Sequence, residues 1–325
     1  MAEIVFGLGT SHSPQVSQEP KWWGEQGLID QKRTPYEELL AKKASWMDSE
    51  LAPAVWADKY EAVQRAIEDL SRSLRDAEPD VIVLIGDDQE ELFLDDCIPT
   101  FSVFWGKESW DRPDFIHSDM SVPSRAAVRW AFHGEAPEAY PGHPALGRHI
   151  VEQLMDQNFD VAQFTKQHES RSLGHAFTFI RRRLMQADKV IPMIPVLINT
   201  YLMPNQPSAA RCFAFGRALA KAIRAWPGKE RIAVIASGGL SHFVIDTELD
   251  EKVLQGLANS DEQILSSLPR DTLQMGSSEI LNWIVAGGAL EELRMHLVAY
   301  VPGYRSPGGT GVGMAFALYL QCFAK

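Results

Sequence analysis

Residues 79–93 read PDVIVLIGDDQEELF. The run 81–85 is continuously apolar, with Pro79 and Asp80 before it and Gly86 and Asp87 after it. A strand exposed on one face alternates apolar and polar residues, whereas one covered on both faces does not, so this run predicts a buried strand inside an α/β sandwich. Outward from it, further strands are expected at 3–9, 190–198 and 296–301, with a strand running into a turn over 232–242. Helical spacing of apolar residues marks 35–51 and 58–76 (Leu39, Leu40, Leu70, Leu74), 144–160, a segment beginning near His175, 207–225 and 277–286. This alternation predicts a single α/β domain over 1–325, its mostly parallel or mixed central sheet flanked by helices. The Pro-, Trp-, Asp- and His-rich stretch 95–142 reads as edge strands and surface loops, and no internal repeat is visible.

A chain of 325 residues with 45% apolar and 23% charged residues has the composition of an ordered globular protein. Its formal net charge of -12 argues against nucleic-acid binding. The one dense basic run, RRR at 181–183, is expected on a solvated helix face. Cys97, Cys212 and Cys322 lack metal-knuckle spacing and are expected as reduced thiols. No charged leader and no apolar run of membrane-spanning length is visible, so a soluble, cytoplasmic protein without membrane contact is expected.

Two strands run into small-residue turns that carry a histidine: His12 in IVFGLGTSHSP and His242 in RIAVIASGGLSHF. Ligands of α/β proteins collect outside the carboxyl ends of parallel strands, which makes this pair a candidate site. Glu279, in GSSEILNWIVAGGAL, stands near a helix start, where it is either an electrostatic cap or a metal ligand. The turn GDDQEE offers Asp87, Asp88, Gln89, Glu90 and Glu91, and spacing does not choose a ligand among them. Trp22 and Trp23 lie in the expected loop 11–27, where they either wall an aromatic pocket for substrate or pack the loop onto the body. SPGGTGVGMAF, ahead of an expected apolar helix, offers backbone amides to a carboxylate, with Arg305 as a clamp; tight packing and a solvent-facing arginine are the alternatives. There is no phosphate-loop lysine and no dinucleotide fingerprint.

Taken in order, GTSHSP, PDVIVLIGDDQ, PALGRHI, SLGHAF, SGGLSHF, GSSEILNW and GTGVGMAFA give a chain that resembles the LigB-type class III extradiol ring-cleavage dioxygenases. This group includes protocatechuate 4,5-dioxygenase catalytic subunits and 3-O-methylgallate dioxygenases. The resemblance implies a LigB-like fold and a non-haem Fe(II) centre held by His12 and Glu279. It makes His242 the acid-base residue and His175 a further pocket histidine, although GHA stands where the family has a pattern closer to DHG. At the second iron-binding histidine of the family's NDH pattern this chain has Gln89; Asp88 or Glu91 could instead complete the site, or iron could be absent. The implied substrates are dioxygen and a small carboxylated catechol such as 3-O-methylgallate, gallate or protocatechuate, in a homodimer without a separate small subunit. A metal-dependent hydrolase and a non-enzymatic interaction protein that has lost iron at Gln89 are the competing readings.

Overall fold

The structure, a computed structural model, describes residues 2–115 and 126–321. Its strands are β1 Glu3–Thr10, β2 Val81–Asp87, β3 Phe101–Phe104, β4 Glu108–Asp111, β5 Glu138–Pro141, β6 Ala162–Phe164, β7 Met193–Ile198, β8 Arg231–Ser237, β9 Arg294–Tyr304 and β10 Gly311–Leu320. Eight of them form one mixed sheet in the order β6-β3-β7-β2-β8-β1-β10-β9, and β4 and β5 form a separate antiparallel pair. The central four, β7-β2-β8-β1, run parallel. All residues of β2 and β7 are buried, as the apolar run 81–85 predicts for strands covered on both faces. β9 closes one edge and shows the mixed exposure of a half-covered antiparallel strand.

Two apolar cores lie on the two faces of the sheet. One is built from helices Ala209–Ala225 and Ile280–Ala289, the other from helices Pro53–Ala77 and His175–Arg183. Pro53–Ala77 buries Val63, Ala66, Ile67, Leu70 and Leu74, the stripe expected of an amphipathic helix. Trp283 packs so closely on β1 that a Cβ at Gly9 would meet its ring at 2.2 Å, which explains the glycine in GLGTSH.

Four expectations are corrected. Residues 11–27 are largely helical (Pro14–Ser17, a 3-10 turn Pro20–Trp22, then Trp23–Arg33), because the two prolines sit where a first helical turn tolerates them. The apolar segment after the C-terminal glycines is β10, paired antiparallel between β1 and β9, so no helix terminus stands there for a carboxylate. The basic run is not uniformly solvated: Arg181 is buried and paired with Glu138, and Arg183 reaches Ser17 and Gln64. Finally, β3 lies inside the sheet between β6 and β7. Cys97 is exposed and Cys212 buried, while Cys322 lies outside the described residues. Among the described residues no helix is long and apolar enough to cross a membrane.

Candidate metal centre

The adjacent parallel strands β2, β8 and β1 end side by side at Asp87, Ser237 and Thr10. Their carboxyl ends deliver Asp87 directly, His12 two residues beyond β1, and the turn 238–242 that carries His242. Glu279 arrives from the opposite side as the last residue of the 3-10 turn Met275–Glu279, ahead of helix Ile280–Ala289. His12, Asp87 and Glu279 are all buried, and each offers a ligand atom within 4.8 Å of the others. The nearest approach of His12 to Glu279 is 3.6 Å, from Nε2 to Oε2.

These side chains are held from behind. His12 Nδ1 shares a 2.9 Å hydrogen bond with Ser237 Oγ, while its buried Nε2 has no hydrogen-bond partner among the described residues. Burial lowers the His12 pKa to about 4, so its imidazole is neutral and its free nitrogen a donor of electrons. Asn282 donates to Asp87 Oδ1 at 2.9 Å, and the Gly239 amide donates to Glu279 Oε2 at 2.6 Å. Burial, reinforced by Glu279, pushes Asp87 up to about 7. Glu279 is held down at about 2: burial opposes its ionisation, but His242 and His12 outweigh it. Two buried carboxylates beside an unpartnered imidazole nitrogen fit a divalent cation, whose charge relieves their repulsion and which favours such an oxygen and nitrogen donor set.

Gln89 lies between the two carboxylates, its Nε2 donating to Asp87 Oδ2 at 3.1 Å and to Glu279 Oε1 at 3.2 Å. Asp88 turns away, accepting from the amides of Leu92 and Phe93 at 2.9 Å each. Glu91 accepts from both the amide and Nδ1 of His175 at 2.9 Å. Burial disfavours a charged His175, yet Glu91 raises its pKa to about 9. The edge of His175 also packs on His12, with ring centroids 4.8 Å apart. His242 donates from Nδ1 to the Leu240 carbonyl at 2.8 Å and directs Nε2 to Glu279 Oε1 at 3.3 Å. Its ring lies against residue 276, where a Cβ would come within 1.9 Å, so glycine is required.

His12, Gln89, Glu91, His175, His242, Glu279 and Arg305 line one cavity of about 200 Å³. Arg305 is buried rather than solvent-facing, because Asp30 binds it with two hydrogen bonds of 2.6 and 2.8 Å. Trp22 and Trp23 are outside the cavity lining; Trp23 is buried, donating to the Gln18 carbonyl at 2.9 Å and packing on Trp56. Sequence reasoning passed over Asp87 in favour of its neighbours, and it missed Arg33, Phe132, His133 and Tyr201, which also line the cavity. A signal existed for two of these: Asp87 closes the apolar run, and His133 lies in the His-rich middle segment.

The chain is 29% identical over 175 residues to a gallate dioxygenase of Pseudomonas putida, covering 50% of each protein. It is 26% identical over 190 residues to a 2,3-dihydroxyphenylpropionate/2,3-dihydroxicinnamic acid 1,2-dioxygenase of Comamonas testosteroni, covering 58% of this chain and 51% of that one. A protein of the same description from Photorhabdus laumondii is 26% identical over 180 residues, covering 55% and 48%. The chain thus spans about half the length of the curated relatives it matches. The family model described as the catalytic LigB subunit of aromatic ring-opening dioxygenase matches residues 49–315, a span holding Asp87, Gln89, His175, His242 and Glu279, and the chain belongs to that family.

Proposed function

We propose that this protein is an extradiol dioxygenase that opens the ring of a small carboxylated catechol, with His12, Asp87 and Glu279 holding Fe(II) and Gln89 beside them. The observation that carries this reading is the convergence of those three buried side chains, two of which, His12 and Glu279, line a cavity together with His175 and His242. The relatives add the substrate class: gallate and 2,3-dihydroxyphenylpropionate are both vicinal diols with a carboxylate. Held by His12, Asp87 and Glu279, Fe(II) would supply the electron transfer that lets dioxygen react with an aromatic diol.

The chain's own residues then divide the remaining work. With Nδ1–H committed to the Leu240 carbonyl and Nε2 turned to the Glu279 carboxylate, His242 exchanges protons only at Nε2, the atom that delivers a proton to the substrate and takes one back. His175, kept protonated by Glu91, places a cation in the cavity that stabilises developing negative charge on oxygen. Arg33 lines the cavity, its guanidinium 5.2 Å from the centre of the Phe243 ring, and is the cation available to the substrate carboxylate, since Asp30 neutralises Arg305. The resemblance also carries the expectation of one catalytic unit acting as a cytoplasmic homodimer without a companion chain, which light scattering of the purified chain checks.

The test is anaerobic reconstitution with Fe(II), followed by oxygen uptake with gallate, 3-O-methylgallate and protocatechuate. One dioxygen consumed per diol lost is expected. Diol-independent hydrolysis without oxygen uptake would support the metal-dependent hydrolase instead, and failure to bind stoichiometric iron would support an iron-free interaction protein.

A further inference from the structure

The small sheet β4–β5 stands apart from the main sheet, and its last β4 residue, Asp111, is fully buried. Four donors surround that carboxylate: His133 Nδ1 at 2.8 Å, the Gly134 amide at 2.9 Å, and the hydroxyls of Tyr140 and Ser172 at 3.4 Å each. A carboxylate in this setting only accepts, so His133 Nδ1 carries a proton, and in the neutral ring Nε2 is the nitrogen with the lone pair. His133 is 2% exposed, its Nε2 is buried without a hydrogen-bond partner among the described residues, and the residue lines the same cavity as His12, His175 and His242. Its neighbour Phe132 meets His175 edge to face at 5.6 Å, which places this wall beside the reacting groups. A buried acceptor left unpaired is costly, and a histidine serving packing alone has no need of a dedicated carboxylate to fix its tautomer.

We infer that His133 is a specificity-determining residue whose Nε2 accepts a hydrogen bond from a hydroxyl on the substrate ring beyond the two that the metal takes. The inference rests on the dioxygenase reading and deepens it: the preferred substrate is a vicinal triol. Methylation of the third hydroxyl removes the proton and sets an ether oxygen against a nitrogen lone pair, and a plain diol leaves Nε2 unpaired. By the cost of one unsatisfied buried acceptor, either change weakens binding by about tenfold to a hundredfold. Asp111 acts through His133 as a positioning residue.

The test is anaerobic calorimetric titration of the Fe(II)-loaded protein with 3,4,5-trihydroxybenzoate, its 3-methyl ether and 3,4-dihydroxybenzoate. The native protein is expected to prefer the triol by at least about tenfold. His133→Phe should bring the three affinities together, with the change in KM rather than kcat and with Fe(II) affinity unchanged. His133→Gln, whose amide oxygen can replace Nε2 as acceptor, should retain part of the preference, which shows that loss in the Phe variant is not a folding defect. Asp111→Asn donates to Nδ1, moves the ring proton to Nε2, and should shift preference toward the ether. Nitrogen-15 spectra of the purified chain read the His133 tautomer without any turnover. No triol preference in the native protein, an unchanged preference in His133→Phe, or a proton on Nε2 of neutral His133 would each overturn the inference. Absence of oxygen uptake with every diol would instead overturn the dioxygenase reading, while the tautomer measurement still judges His133.

Discussion

Asp87 and Gln89 are two positions apart, and their roles differ because β2 ends at Asp87. Had the strand continued, both would face the same way; since it ends, Asp87 presents its carboxylate to His12 and Glu279 while Gln89 bridges the two acids from the turn. Asp87→Asn and Glu279→Gln are therefore expected to weaken Fe(II) binding by more than about tenfold, and Gln89→Ala by less, because it removes only a supporting amide. Anaerobic titration, with electron paramagnetic resonance of the nitrosyl-iron complex, checks the order; a larger loss in Gln89→Ala would return Gln89 to the ligand set. His242→Ala should keep iron and lose about 10²–10⁴ in kcat, whereas His12→Ala should lose both, which paired metal titration and steady-state kinetics will show. That His12, His242, His175 and Glu279 share one cavity was legible because each follows a strand or stands at a helix start in a distinctive string. Asp87 was not, because a strand boundary is uncertain by a residue or two and one residue reverses which side chain faces the site.

At the scale of elements, the parallel centre of the sheet was legible because strands buried on both faces write themselves as apolar runs. The C-terminal segment GVGMAFALYL is equally apolar, yet it is an antiparallel strand; periodicity alone does not separate a buried strand from a buried helix, and the partners β1 and β9 decide it. One junction among elements carries a titratable group. Asp250, in helix Thr247–Ala258, accepts from the amide and hydroxyl of Ser241 at 2.8 Å each and from Tyr300 on β9 at 2.7 Å, tying the helix to the turn before His242. Burial raises its pKa from 3.8 to about 6 despite these bonds. The folded state therefore holds the proton more tightly than the unfolded one, so the contribution to stability is full below about pH 4 and is lost as pH rises through about 6. Asp250→Asn mimics the protonated acid and lacks this loss. Denaturant unfolding of both proteins at steps between pH 4 and 7 should show the variant gaining on the native protein as pH rises; a constant difference would mean that Asp250 ionises freely in the fold.

For the whole molecule, the metal centre and the fold are one problem. The chain carries a formal charge of -12, and it still buries Asp87 and Glu279 together at the meeting point of β1, β2, β8 and helix Ile280–Ala289. Elements that converge on two carboxylates repel one another there unless a proton or a cation intervenes. Burial beside Glu279 pushes the Asp87 carboxyl up to about 7, which favours a proton in that place. A divalent ion that binds only the folded chain stabilises it by mass action, by about 2.7 kcal/mol at a hundred times its Kd. For a protein of this size that corresponds to a rise in Tm on the order of 4 °C. Anaerobic thermal unfolding with and without Fe(II) should show this rise in the native protein and little of it in Asp87→Asn or Glu279→Gln. The rise should also be larger at pH 8 than at pH 6, because the ion must displace the proton from Asp87 at the lower pH. Equal shifts in the native protein and both variants would place the stabilising ion elsewhere on the molecule and separate the fold's stability from the His12–Asp87–Glu279 cluster.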